Sequence, residues 1–254
     1  MKTSIKLILI YFLMQLLGVA IVSPLMLLYA HLADAHDVHA LPPSLIAGIL
    51  LMMGYLYKKG YLTGDVALWR VGRPLTYLWT LLAGISFILL DEWLMSMLDF
   101  LPDWMEMAFD EMAYSPWGIL GICLLGPVLE EMLFRGAVLK SLLSHYRPAT
   151  AIGLSALLFG IFHVNPAQVV AACCSGLLLG WLYQRTRSLW PSILVHVVNN
   201  SCSVFLMRTC PDVEHLSELF PTGGYVLLIG LSACVLLLSL TMLRRLTTPA
   251  SNLS

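Results

Sequence analysis

Two adjacent glutamates inside an apolar run are the residues of this sequence best suited to chemistry. The stretch LLGPVLEEMLFRGAVL, residues 124–139, carries charge only at Glu130, Glu131 and Arg135. Each charge at the centre of a membrane helix costs about 2.5–3.5 kcal/mol, whereas each Leu, Ile, Phe or Val returns only about 0.3–0.6 kcal/mol. Ionisable residues in such a place are therefore candidates for a functional site.

Helical spacing predicts different roles for the two glutamates. Glu131 and Arg135 are four residues apart and share a helix face, so they are predicted to form an ion pair. Glu130 lies about 100° round the helix and lacks that partner. Pro127 removes a backbone donor and is expected to bend the helix and admit water. Glu130 is therefore a candidate for a functional carboxyl, while the alternative is a packing carboxyl that is protonated or hydrogen-bonded.

Polar residues are also buried in two further apolar segments. LLFGIFHV (157–164) contains His163, and SILVHVVNNS (192–201) contains His196 and Asn200. His196 and Asn200 are four residues apart, so their side chains share a helix face. A lone histidine on an apolar helix is more often structural, but two of them together with a deep carboxylate favour a site. An asparagine cannot titrate and only donates or accepts hydrogen bonds, which suits a donor to an oxyanion.

The composition requires these residues to be positioned by membrane helices. The chain has 254 residues, of which 59% are hydrophobic and 11% charged, and its mean hydropathy is +0.84. Soluble domains carry about 25% charged residues. The sequence therefore predicts an all-α, polytopic membrane helix bundle of about eight transmembrane helices. The apolar segments lie near residues 5–30, 41–57, 75–95, 117–137, 150–165, 166–184, 189–207 and 224–243.

Charge and cysteine content exclude other classes and orient the bundle. The net charge of -1 gives no indication of a nucleic-acid partner, and the six cysteines contain no CxxC pair that would indicate a disulfide framework or a thiolate metal site. With the N-terminus placed in the cytoplasm, all of the 14 Lys and Arg residues except Arg208 fall on the inner side. This bias predicts a multi-pass protein of the cell membrane with cytoplasmic N- and C-termini.

The rise of a helix gives an estimate of depth. Glu130 is expected about 10 Å above the inner edge of the apolar core, and His163 about 20 Å above it. Two explanations of this difference stay open. Either the helix of His163 begins later than the apolar segment suggests, or His163 approaches the cavity from below.

Three short motifs at these residues resemble those of a known family. EEMLFR (130–135) fits EExxxR, FGIFH (159–163) fits FxxxH, and HVVNN (196–200) fits HxxxN. In this order, on separate membrane helices, they resemble the CAAX protease and bacteriocin-processing family of intramembrane endopeptidases, also called the Abi family. The resemblance covers about residues 117–205, which are expected to form a CAAX-protease-like catalytic core. Residues 1–115 would be N-terminal transmembrane helices without a matched motif, and residues 206–254 an outer loop, the last transmembrane helix and a cytoplasmic tail.

The resemblance implies an endopeptidase that hydrolyses a peptide bond of a membrane-associated protein or peptide. Glu130 would activate the water, His163 would help to position it, and His196 and Asn200 would support the oxyanion. The ion pair of Glu131 with its arginine would fix the helix behind them.

A metal is the open part of this mechanism. Two histidines and a glutamate match the ligands of a catalytic zinc site. The sequence has no HExxH motif, however, and the same residues fit a metal-free glutamate mechanism, which the family's prenyl-protein protease is thought to use. No cofactor is therefore favoured and no metal ligand is assigned, with zinc as the alternative.

Two other functions compete with the peptidase. One is a non-catalytic bacteriocin-immunity or membrane scaffold protein that binds a partner through the same cavity. The other is a small transporter in which Glu130 and the histidines form a proton relay. The retained set of polar residues favours the peptidase, since a scaffold needs none of them, and a transporter would more often show an internal repeat.

Overall fold

The computed structural model describes residues 1–34, 39–63 and 65–247, and within these ranges the chain is a bundle of nine helices without a β-strand. This confirms the predicted all-α class. The helices are α1 (Lys2–Ala33), α2 (Leu41–Lys58), α3 (Pro74–Met95), α4 (Glu106–Ala113), α5 (Pro116–Leu143), α6 (Pro148–Phe162), α7 (Pro166–Thr186), α8 (Trp190–Thr209) and α9 (Thr222–Leu246). Two 3₁₀ turns, Val66–Trp69 and Leu216–Leu219, lie in the connections.

Each of the eight predicted apolar segments corresponds to one helix, and α4 is added in the acidic connection between α3 and α5. Six helices in the described part of the chain are long and apolar enough to cross a membrane, namely α1, α2, α3, α5, α7 and α9. The helix α8 has 20 residues but carries polar groups at His196 and Asn200. The protein is thus a multi-pass membrane protein. The last residues of the predicted tail, 248–254, lie outside the described ranges.

Proline starts most of the helices that carry or support the site. It occupies the first or second position of α3, α5, α6, α7 and α8. A proline there sacrifices only a backbone N–H that has no partner inside the helix, and its fixed φ is already helical. The connections between α5, α6, α7 and α8 have only three or four residues, which favours antiparallel packing of consecutive helices.

The helix α5 changes its winding around the two glutamates. Gly126–Glu131 is α-helical, and the stretches on either side of it, Gly121–Leu125 and Met132–Leu139, are π-helical. In the first π-helical stretch, the N–H of Gly126 donates to the carbonyl oxygen of Gly121, five residues earlier. The next donor in this pattern would be Pro127, which has no N–H. Such π-helical insertions recur at functional sites.

Two apolar clusters hold the bundle together. The larger one joins α1, α2, α5 and α6, and its centre contains Phe134 in edge-to-face contact with Phe159 and Phe162, with ring centroids 4.9 and 5.0 Å apart. The smaller one joins α3, α7, α8 and α9. The hairpin of α6 and α7 is closely packed because Gly160 has no side chain: a Cβ at this position would lie 2.7 Å from the carbonyl oxygen of Val169.

Candidate active site

Three helices bring the predicted site residues together. Glu130, Glu131 and Arg135 come from α5, His163 follows the last residue of α6, and His196 and Asn200 lie on α8. Five of these six side chains form one connected cluster, and Asn200 lies one helical turn from His196.

Glu131 is the hub of a fully buried polar group. Its Oε1 accepts a hydrogen bond from Nη1 of Arg135 at 2.8 Å and one from Nδ1 of His196 at 2.9 Å. The side chains of Glu131 and Arg135 are both 0% exposed. An ionised carboxylate can only accept, so Nδ1 of His196 carries a proton. The ion pair that the spacing predicts is present, whereas the bond to His196 was not predicted.

Arg135 links α5 to the α6–α7 hairpin. Its Nη2 donates to the carbonyl oxygen of Gly176 at 3.3 Å, and its guanidinium carbon lies 4.6 Å from the ring centroid of Phe159. The ring face of an aromatic side chain attracts a cation. Neither contact was predicted, although Phe159 is the first residue of the FxxxH motif. Gly176 contributes only its backbone, for which the sequence has no signal.

Glu130 faces both histidines without bonding to either of them. Its Oε2 lies 3.7 Å from Nε2 of His196 and 3.9 Å from Nε2 of His163, and its side chain is 16% exposed. These separations exceed the length of a hydrogen bond. Among the described residues, this oxygen is buried and has no hydrogen-bond partner. Such an oxygen costs free energy unless a donor that is not part of the chain reaches it.

The orientation of the two histidine rings leaves the cluster with hydrogen-bond acceptors but no donor. Nδ1 of His163 lies 2.8 Å from the carbonyl oxygen of Phe159, which can only accept, so this nitrogen also carries a proton. In their neutral forms both rings therefore present the lone pair of Nε2 toward Oε2 of Glu130. Three acceptors converge and none of them supplies a hydrogen. A water molecule, with two hydrogens, would satisfy two of the three.

Asn200 has a structural bond in addition to its predicted role. Its Nδ2 donates to the carbonyl oxygen of Ile122 at 2.9 Å, and its Oδ1 accepts from Nδ2 of Asn199 at 3.2 Å. Ile122 is the residue whose carbonyl Pro127 would reach in the π-helical pattern, and Asn200 supplies a donor in its place. The amide nitrogen has two hydrogens, so one remains available for a ligand.

The helix lengths give the relative heights of Glu130 and His163. The helix α6 begins at Pro148, so a late start does not explain the position of His163. About 21 Å of helix separate Pro116 from Glu130, and about 22 Å separate Pro148 from His163. The two side chains therefore meet at a similar level in the bundle, and the distance of Glu130 from the inner edge of the apolar core stays a prediction.

The atoms that could bind zinc at this site are Oε2 of Glu130, Nε2 of His163 and Nε2 of His196. Their donor chemistry is suitable, but ligand atoms about 2.0–2.2 Å from a tetrahedral zinc lie about 3.3–3.6 Å from each other. The separations of 3.7 and 3.9 Å are longer. In the described ranges, no group of three or more His, Cys, Asp or Glu side chains has the arrangement to hold a metal ion. The arrangement described here is therefore looser than that of a zinc site.

Comparisons with known proteins match the part of the chain that contains this site. Residues 112–202 match the family model described as "Type II CAAX prenyl endopeptidase Rce1-like". A curated protein of Bacillus subtilis (strain 168), "Putative membrane peptidase YdiL", is 28% identical over 103 residues, which are 41% of this chain and 42% of that protein. The chain therefore matches less than half of the length of this relative. No solved structure matches the chain.

The matched region contains every residue of the candidate site, from Glu130 to Asn200. Over this region the chain is similar to the CAAX protease and bacteriocin-processing family of membrane peptidases, as the three motifs predict.

Proposed function

We propose that this protein is an intramembrane endopeptidase that cleaves a membrane-associated peptide or protein in the bilayer. The observation that carries the proposal is the buried Oε2 of Glu130, which has no hydrogen-bond partner in the described chain and faces Nε2 of His163 and of His196. A general base must lie within reach of the proton that it removes, either directly or through one water.

In the proposed reaction, a water molecule lies between Glu130 and the two histidines. Glu130 takes one of its protons, and the oxygen attacks the carbonyl carbon of the substrate. The proton then passes from Glu130 to the nitrogen of the leaving amine as the C–N bond breaks. His163 holds the water, because its Nε2 accepts the second hydrogen while its Nδ1 is held by the backbone of α6.

The oxyanion of the intermediate is assigned to α8. The second N–H of Asn200 donates a hydrogen bond to the oxyanion, and this donor is uncharged. His196 can donate from Nε2 only when its ring is an imidazolium, because its Nδ1–H is already held by Glu131.

We propose that the reaction does not use a metal, because the separations within the cluster are longer than those of zinc ligands. Loss of cleavage with a chelator, restored by zinc, would retain the peptidase and overturn this part of the mechanism. Cytoplasmic termini stay a proposal that rests on the distribution of Lys and Arg.

The test is cleavage of a library of membrane-associated candidate peptides by purified protein in proteoliposomes. Glu130→Gln keeps the volume but cannot take a proton, so cleavage is expected to fall by about 10²-fold or more. His163→Ala and His196→Ala are expected to fall comparably. Asn200→Ala is expected to fall by roughly 10²–10³-fold as an oxyanion donor.

The matched control is Glu106→Gln, which makes the same change at an exposed position of α4 and is expected to cleave at the wild-type rate. Monodispersity in detergent is expected to survive in all variants. A folded Glu130→Gln variant with the wild-type rate would remove the peptidase assignment from this site. It would leave the scaffold function as the better interpretation.

A further inference from the structure

The turn that carries His163 is held by a loop from a distant part of the chain. This loop, Pro102–Trp104, lies between α3 and α4, sixty residues before the turn. The N–H of Ala167, in the first turn of α7, donates to the carbonyl oxygen of Pro102 at 3.3 Å. The loop therefore covers the end of the α6–α7 hairpin.

Asn165 makes the side-chain contacts of this cover. Its Oδ1 accepts from the backbone N–H of Trp104 at 3.0 Å, and its Nδ2 donates to Oδ1 of Asp103 at 2.9 Å. Asn165 is 0% exposed. An asparagine before a helix commonly caps it with its own side chain, but here the side chain makes no capping bond to α7 and is directed to the loop.

The contact matters because α6 is short. Its 15 residues span about 22 Å, less than the ~30 Å of the apolar core. The turn His163–Asn165 is therefore expected below the membrane surface, where every backbone N–H needs a partner within the protein. The three N–H groups of the turn are bonded to carbonyl oxygens of α6 and of the turn itself. Asn165 and Pro102 supply the partners of the adjoining groups, the N–H of Trp104 and the N–H of Ala167. Because α6 is short, His163 lies at the level of Glu130. The loop offsets the cost of this depth by supplying hydrogen-bond partners at the end of the hairpin.

The backbone next to His163 is strained. Val164 has a φ of 61°, in the left-handed region, which is an outlier for a β-branched residue. Its neighbour Asn165 donates its N–H to the carbonyl oxygen of His163 at 2.6 Å. Strain of this kind costs about 1–3 kcal/mol and persists only where the surroundings hold it. The bonds of Asn165 to the loop are such surroundings.

We propose that Asn165 is a positioning residue that, through Asp103 and Trp104, holds the imidazole of His163 toward Glu130. The proposal rests on the proposed peptidase function for its catalytic consequence, but the position of the ring can be measured without a substrate. It assigns a role in the site to the connection between α3 and α4, which carries no recognised motif.

The test exchanges the two side chains of the contact. Asn165→Asp keeps the acceptor for Trp104 but places a second carboxylate against Asp103. Asp103→Asn added to it restores a donor and an acceptor in reversed positions. The kcat for a cleaved peptide is expected to fall about 10–100-fold in Asn165→Asp with little change in KM, because a displacement of about 1 Å costs this much. The double variant is expected to recover most of this loss.

The second measurement is NMR of ¹³C-labelled histidine side chains in detergent, with the His163 signal assigned from its loss in His163→Gln. Asn165→Asp is expected to shift this signal, and the double variant to return it, while the signal of His145 stays unchanged. Asp110→Asn, an exposed change in the same connection, is the matched control and is expected to shift neither signal. Should Asn165→Asp not fold, Asp103→Ala removes the same acceptor from the exposed loop and is expected to shift the His163 signal.

The outcomes separate this proposal from the proposed function. An unchanged His163 signal in folded Asn165→Asp overturns the positioning role, whether or not the wild type cleaves a peptide. A shift that Asp103→Asn does not reverse also overturns it, because the effect then does not pass through this contact. A reversible shift in a protein that cleaves no peptide supports the positioning role and counts against the peptidase.

Discussion

The helix α5 carries two ion pairs of nearly equal length in opposite surroundings. Arg135 bonds to Glu131 at 2.8 Å, and Lys140 bonds to Asp65 at 2.7 Å. The side chains of the first pair are 0% exposed, whereas those of Lys140 and Asp65 are 38% and 33% exposed. The two pairs lie little more than one helical turn apart, so the comparison isolates the effect of burial.

Burial changes what an ion pair contributes. Removing two charges from water costs several kcal/mol each, so the intact buried pair contributes little net stability. Removing only one partner is strongly destabilising, because the other charge is then buried without compensation. An exposed pair costs little to make and contributes about 0–1 kcal/mol. The difference indicates that the buried pair is present for a reason other than stability. Its additional bond from Glu131 to His196 supplies that reason, because it orients a ring that faces Glu130.

Breaking the buried pair is expected to have the largest effect on stability. Arg135→Ala leaves the Glu131 carboxylate buried without its cation, and we expect a loss of about 3–5 kcal/mol in the free energy of unfolding, measured by denaturation in mixed micelles. Glu131→Gln added to Arg135→Ala removes the stranded charge and should recover part of the loss. Strictly additive losses in the double variant would count against a direct interaction.

Neutralising Glu131 alone separates its effect on the orientation of His196 from its effect on the stability of the protein. Glu131→Gln keeps an oxygen for Nδ1 of His196 but loses the charge that holds it. We expect cleavage to fall about 10–100-fold, the scale known for carboxylates that orient metal-bound histidines. The matched control is Asp65→Asn at the exposed pair, which should leave the cleavage rate unchanged. Equal losses from both changes would show that burial does not distinguish the two pairs.

Breaking the exposed pair is expected to have the smallest effect. Lys140→Ala should cost less than about 1 kcal/mol, and high salt should reduce the difference further. The hydrogen bond from Lys140 lowers the pKa of Asp65 below its ordinary value of 3.8. The contribution of Asp65 is thus present above pH 3.8 and is lost as the pH falls through the lower folded value. Denaturation at a series of pH values should show wild type and Lys140→Ala converging in acid, and a difference that grows there would contradict the pair.

Local patterns were enough for much of this architecture. Apolar segments predicted eight of the nine helices in the described part of the chain, because a helix that enters the bilayer must be largely apolar. The spacing of Glu131 and Arg135 predicted their bond, because both lie on one helix and α-helical geometry relates residues four apart. The bond forms although Arg135 lies in the π-helical stretch that follows Glu131. The sequence predicted an irregularity at Pro127 but not this π-helical stretch.

Contacts between helices were not accessible in this way. Nothing in the sequence relates His196 to Glu131, 65 residues away, or Asn165 to Asp103, 62 residues away. These bonds depend on the order in which helices pack and on their relative heights. The short length of α6 is visible in the sequence, but its consequence, a turn that must be covered inside the membrane, appears only when the loop is placed over it.

The sequence by itself determined that this is a membrane bundle and which side chains are out of place in it, because charges in an apolar helix are costly wherever the helix goes. Only the tertiary structure decided which partners each of these side chains has. It surrounds Glu131 with two donors and leaves Oε2 of Glu130 facing two imidazoles without a bond. The physical reason is that adjacent residues on a helix point about 100° apart, so neighbouring helices decide which partners each of them meets.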